Sequence, residues 1–221
     1  MTERLQAADL ASANAAFTRI FASANPFRPP FLPVVEKRAL LYPLEGCELY
    51  AEQFEALVAA ARQVGETEMF ISSVELLKDP HDASQWDESR THYRIDLNPE
   101  AYEEVMNSPL GLMRHAIYSV RSRWGLMVSE EMHALIGGPS AFVNALLGSL
   151  PPPIDLFRRE GIEVDPSISP KMTSQEQMLR AWVLSWKELH MIGSRIDWLP
   201  ALVGSIVGLE QANVLLDEIR P

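Results

Sequence analysis

Residues 115–142 read HAIYSVRSRWGLMVSEEMHALIGGPSAF and hold the clearest strand, turn and helix signals in the chain. His115 to Val120 and Trp124 to Ser129 are short runs of aromatic and β-branched residues on either side of Arg121-Ser122-Arg123, the pattern of a β-hairpin. Ser129 is a suitable helix N-cap, with Glu130 and Glu131 where a helix dipole favours negative charge and Gly137-Gly138 as a stop. Pro139 can open a further helix whose apolar face is Phe142, Leu146 and Leu147. The expected order is strand, strand, helix, helix.

Upstream, residues 4–22 form an alanine-rich helical pattern ended by Asn25-Pro26. Phe27-Arg-Pro-Pro-Phe-Leu-Pro33 must be extended, because each proline fixes its own φ and moves the residue before it out of the helical region. Its phenylalanines favour a strap laid across the body over a free linker or a polyproline ligand. Ala39–Tyr42 reads as a strand. Tyr50–Val64 is an amphipathic helix with Phe54, Leu57, Val58 and Ala61 on one face and Gly65 at its end. Residues 66–75 and 91–97 alternate like half-buried strands, and a polar loop at 78–89 separates them, with Trp86 as its one large apolar residue. Pro99 opens a short helix to about Met106.

Downstream, Pro151-Pro-Pro153 breaks the chain and residues 154–172 read as irregular. Thr173-Ser-Gln-Glu176 has the form of a capping box ahead of Met178, Leu179, Trp182, Val183, Trp186 and Leu189 at helical spacing. Helices are expected from Asp197-Trp-Leu-Pro200 and from about Glu210 to Ile219. The fold class is α+β: a mainly antiparallel sheet of about four to five strands, helices packed on it, and a helical C-terminal third. A single domain 1–221 comprises an N-terminal helix and proline-rich strap (1–33), an α+β core (34–150) and a helical C-terminal region (151–221). There is no internal repeat.

At 221 residues, 47% hydrophobic and 22% charged, the chain has an ordinary globular composition and enough length for a core. No apolar run reaches the roughly 18 residues of a membrane span, and the first residues lack a signal-type apolar stretch, so the expected location is the cytoplasm. Cys47 is alone, which leaves no internal disulfide and no Cys-x-x-Cys site. The net charge of −11 is concentrated. Residues 45–110 carry fifteen acids against four bases, whereas 1–44 are net positive and 111–221 nearly balanced. Such a segment repels phosphates and anionic lipid, so neither nucleic acid nor membrane is an expected partner; basic proteins are. A solvated acidic face that only keeps the chain in solution is the plainer reading of the same charge.

Motifs for chemistry are missing where they would be diagnostic. There is no Gly-x-Ser-x-Gly elbow, no phosphate loop and no His-x-x-x-His pair, so no catalytic, cofactor or metal residue is assigned. Glu130-Glu-Met-His133 has the spacing of a di-iron half-site, but no second copy exists. His133 then reads as a partly buried, hydrogen-bonded residue, and Trp182, Trp186 and Trp198 as core. Trp86 differs, standing beside Asp82, Asp87 and Glu88, and a tryptophan in such a loop can anchor an interface; folding back onto the sheet is the alternative.

Arg123–Gly138 with Phe142, and Trp182–Trp186, Gly193-Ser194 and Asp197–Pro200, resemble segments of poorly characterised bacterial proteins, some of them similar to the immunity proteins of polymorphic and contact-delivered toxins. The resemblance implies a binder made in the cytoplasm that neutralises a cognate toxin. It carries over no site residue, because such families inhibit through surfaces that differ between members. The leading expectation is an immunity or inhibitor protein that meets a basic toxin through an acidic surface, with Trp86, Asp82, Asp87, Glu88, Glu130 and Glu131 as candidate contacts and no cofactor. The alternatives are a small enzyme using His133 or His92 in a cleft, and a homo-oligomer assembled through the C-terminal helices.

Overall fold

A computed structural model describes residues 2–4, 7–74, 77, 79, 81–86, 92–108, 113–165, 167–168, 170–191 and 197–217. Seven strands form one sheet: β1 (Thr2–Arg4), β2 (Lys37–Leu41), β3 (Glu68–Ser73), β4 (His92–Asp96), β5 (His115–Ser119), β6 (Gly125–Val128) and β7 (Ala134–Gly138). Their order is β1-β4-β3-β5-β6-β7-β2, antiparallel throughout. The described helices are α1 (Ala7–Thr18), α2 (Ala51–Gln63), α3 (Pro99–Met106), α4 (Ser140–Ser149), α5 (Pro153–Arg159), α6 (Ser174–Met191), α7 (Leu199–Val207) and α8 (Leu209–Asp217). The fold is α+β with C-terminal helices, and the sheet is wider than the expected four to five strands because β1 and β7 add to it.

The main departure from expectation follows Ser129. No helix begins there; residues 129–133 form a turn and Ala134–Gly138 is β7, the central partner of both β6 and β2. A short apolar run such as ALIGG fits a buried strand as well as a helix segment, and the packing decides. A Cβ on Gly137 would lie 2.7 Å from ring atoms of Phe31, and one on Gly138 would lie 2.8 Å from the Trp124 Cβ. Both glycines therefore let aromatic side chains lie against the strand backbone and are not a helix stop. Ser129 still caps, but caps the turn: its Oγ accepts from the Glu131 N–H at 3.1 Å. The start of the 154–172 stretch, expected to be irregular, is helical: α5 begins at Pro153 and has Arg158 and Arg159 in its last turn.

The register divides the sheet into two faces. On one, Tyr118 pairs with Gly125, which pairs with Gly137, and the missing side chains make room for Phe21 from the end of α1 and Phe31 from the strap. Phe31 stacks on Phe21 at 5.4 Å, so the proline-rich segment is a strap and not a linker. The opposite face carries Ile117, Leu126 and Ile136 in one row. Here α4 brings Phe142 onto Trp124 (4.8 Å), α2 packs on α4, and α3 joins α2 through the stack of Phe54 on Tyr102 at 4.4 Å. The edge strand β2 is covered: Leu40 N–H donates to Gln175 Oε1 of α6, and Arg38 Nη1 donates to the Ser205 carbonyl of α7. That removes an open edge on which another chain could pair.

Candidate functional site

The topology gathers the candidate acids at one end of the sheet. Ser73 closes β3 opposite His115, and His115 faces Val128 at the end of β6, so the loop leaving β3 and the turn leaving β6 emerge together. A third segment joins them, because Leu44 N–H donates to the Met132 carbonyl and holds the bend at 45–48 beside the turn. Glu45, Asp79, Asp82 and Glu131 are exposed there, and Glu48 and Glu130 are half-buried. Burial, followed by the neighbouring Glu45 charge, raises the Glu48 pKa.

The sequence-predicted residues take different places in this arrangement. Asp82 is exposed and holds a short 3-10 turn in shape: its carboxylate accepts from Ser84 Oγ at 2.7 Å, Ser84 N–H at 3.0 Å and Gln85 Nε2 at 3.2 Å. The Ser84 hydroxyl, then Gln85, lowers its pKa. Glu130 forms an ion pair with Arg114. Burial opposes its charge, but the Arg114 hydrogen bond and charge outweigh that and lower its pKa. Glu131 points to water at the tip of the turn. Asp87 and Glu88 lie outside the described residues.

Trp86 is no exposed anchor. It is 7% exposed, stacks on His92 at 5.0 Å and meets Phe17 edge-on at 5.1 Å. Beneath it, His92 Nδ1 lies 2.9 Å from Ser72 Oγ, which lies 2.8 Å from the Tyr118 hydroxyl. All three are buried, and burial raises the Tyr118 pKa. Ser72 and His92 are in contact, and Trp86, with Phe17 against it, lies over the His92 ring. The chain of hydroxyls satisfies polar groups that burial would otherwise strand.

His133 has a comparable role on the strap side. Its Nδ1 lies 2.8 Å from Ser129 Oγ, and its ring packs on Trp182 (4.9 Å) and Phe27 (5.7 Å). Burial pushes its pKa down to about 4 against the opposing pull of the Glu131 and Pro26 carbonyls and the Glu130 charge. It is a neutral imidazole at pH 7. Phe27 continues to Trp198 at 5.1 Å, Trp198 to Trp186 at 5.0 Å, and Arg114 covers the outer face of Phe27 at 5.6 Å. The three tryptophans were legible as packing residues from their spacing. That the strap supplies Phe27 to them was not, since nothing local in FRPPF names the far side of the contact.

Among the described residues, no three His, Cys, Asp or Glu side chains converge as metal ligands, and no helix is long and apolar enough to cross a membrane. What the end of the sheet offers is exposed carboxylates on three short segments, with Arg114, just ahead of β5, paired with Glu130. Scans against protein-family models, curated proteins and solved structures find no match to this chain.

Proposed function

We propose that this protein is an inhibitor of the immunity type, which binds a basic toxin through the acidic end of its sheet. The observation that supports this is the convergence of Glu45, Asp79, Asp82 and Glu131, exposed on separate loops at one end. Acids from three segments make a broad negative surface that raises the association rate of a positive partner, and the effect fades with salt. Asp82 is held by Ser84 and Gln85 in a short 3-10 turn, which lowers the entropy cost of presenting its charge. His133 and His92 are buried beneath aromatic rings and not set in a cleft, which weighs against the enzyme reading.

The test is purification of the tagged protein from its native lysate, followed by binding kinetics with the purified partner. One stoichiometric basic protein, whose toxicity the chain suppresses, is expected. The double substitution Asp82→Lys with Glu131→Lys should lower its on-rate by about tenfold at low salt. Recovery of no partner, or an on-rate indifferent to salt and to both substitutions, would remove the proposal.

A further inference from the structure

Arg114 stands where three segments meet. Its carbonyl accepts the Val74 N–H at 3.0 Å, which fixes the chain leaving β3. Its Nε lies 2.6 Å from both carboxylate oxygens of Glu130, in the turn that leaves β6, and Nη2 bonds the same carboxylate. The guanidinium also lies over the ring of Phe27 in the strap, 5.6 Å from its centroid. A planar fork on a carboxylate and a flat cation over a ring each fix orientation as well as distance.

Both segments joined in this way need holding. Met132, inside the turn, has a φ of 56°, a left-handed conformation that a long side chain seldom adopts and that persists only where the surroundings hold it. The turn also carries the exposed Glu131, and its Met132 carbonyl accepts the Leu44 N–H at 2.9 Å, so a shift of the turn reaches the bend at 45–48. The strap begins with little backbone bonding to the body: Phe27 and Arg28 N–H donate back to Asn25. What ties it down there is the Phe27 ring, seated on His133 and Trp198 beneath Arg114.

We propose that Arg114 is a latch, whose ion pair with Glu130 and seat on Phe27 hold the acidic turn and the start of the strap together, so that loosening either loosens both. The latch stands or falls in the free chain. Its use rests on the reading of this end as the surface for a basic toxin, where a turn fixed before contact lowers the ordering cost of binding.

Two substitutions break the same pair while moving the charge in opposite directions. Arg114→Gln takes the net charge from −11 to −12, and Glu130→Gln takes it from −11 to −10. Base-catalysed amide exchange slows near added negative charge and speeds when such charge is removed, so a field effect alone gives the two variants opposite signs. The latch gives them the same sign.

The experiment is amide hydrogen exchange by NMR at pH 7 on the free full chain: wild type, both single variants and the double, after circular dichroism shows them folded. Glu131 and Leu44 report the turn, Phe27 and Arg28 the strap, and Ile117 the centre of the sheet. Each single substitution should speed exchange at the four outer amides by about fivefold, and the double by no more than either single, with Ile117 unchanged. If the arginine variant does not fold, Glu130→Gln, nearly the same shape as wild type, carries the test through Phe27 and Arg28. Opposite signs, strap amides unmoved by Glu130→Gln, a double equal to the product of the singles, or an equal rise at Ile117 would each overturn the latch. The wider reading falls on a different measurement, an on-rate indifferent to salt and to Asp82→Lys with Glu131→Lys.

Discussion

The two sides of this sheet spend their polar and aromatic residues in opposite ways. On the strap side, Phe17, Phe21, Phe31 and Trp86 cover Tyr118, Ser72 and His92, which bond to one another, and Trp182 with Phe27 covers His133, which bonds Ser129. On the other side, α2 and α3 bury Phe54, Leu57, Tyr102 and Val105 and turn Glu52, Glu55, Glu100, Glu103 and Glu104 to water. The first arrangement is a device for stability and leaves little for a ligand to touch. The second costs the fold little and leaves charge available, so recognition is to be sought along the acidic helices and the loops beside them.

The sharpest way to break that contrast is Trp182→Ala. The side chain is fully buried and touches both His133 and Trp198. Its loss should cost about 3–5 kcal/mol in urea unfolding, enough to unfold a marginal domain. A loss under about 1 kcal/mol would mean that the aromatic cluster is loosely packed and that the strap side is not the stable one.

A second test uses pH. The folded pKa of His133, about 4, lies below the ordinary histidine value of 6.5. Between these values the unfolded chain binds the proton and the folded chain does not, so the stabilisation is complete above the unfolded pKa and is lost as pH falls toward the folded one. From pH 8 to pH 5 this group alone should remove about 2 kcal/mol. His133→Phe should flatten that part of the profile. An unchanged slope would place the acid sensitivity on the carboxylates and sever it from the strap side.

Periodicity made most elements readable. The helix over 51–63, the Pro99 helix and the hairpin of β5 and β6 stand where alternation or apolar spacing put them, and Thr173 with Glu176 forms the capping box that its spacing promised: Glu176 N–H donates to Thr173 Oγ1 at 3.3 Å, and Thr173 N–H to Glu176 at 2.8 Å. The miss at β7 is instructive. Gly137-Gly138 reads locally as a stop, and only Phe31, about a hundred residues away, turns it into a strand that a ring can approach. Trp86 takes the second of its two readings, folded back onto the sheet, for a similar reason. Its charged neighbours predict exposure, while Phe17 reaches it from α1, far along the chain, and His92 meets it only because β4 folds back beside the loop. The acidity of residues 45–110 was legible; which acids share an end of the sheet depends on strand order, which no local pattern encodes.

The smallest effect on stability separates the two sides most cleanly. Glu100, Glu103 and Glu104 on α3 are exposed, and none of them is needed to bury Tyr102 or Val105 on the inner face. Changing all three to glutamine should alter unfolding free energy by no more than about 0.5 kcal/mol per site, since exposed charges gain little from neighbours in water. A small gain is the expected sign for Glu103 and Glu104, because neutralising them relieves repulsion in a chain of net charge −11. Glu100 stands in the first turn of α3, where the helix dipole favours its charge, so Glu100→Gln alone should go slightly the other way. Urea titrations of the three single variants would read these signs. A loss above about 1 kcal/mol at Glu103 or Glu104 would mean that the acidic side is built for stability after all, and its charge would then no longer count as a surface held for a partner.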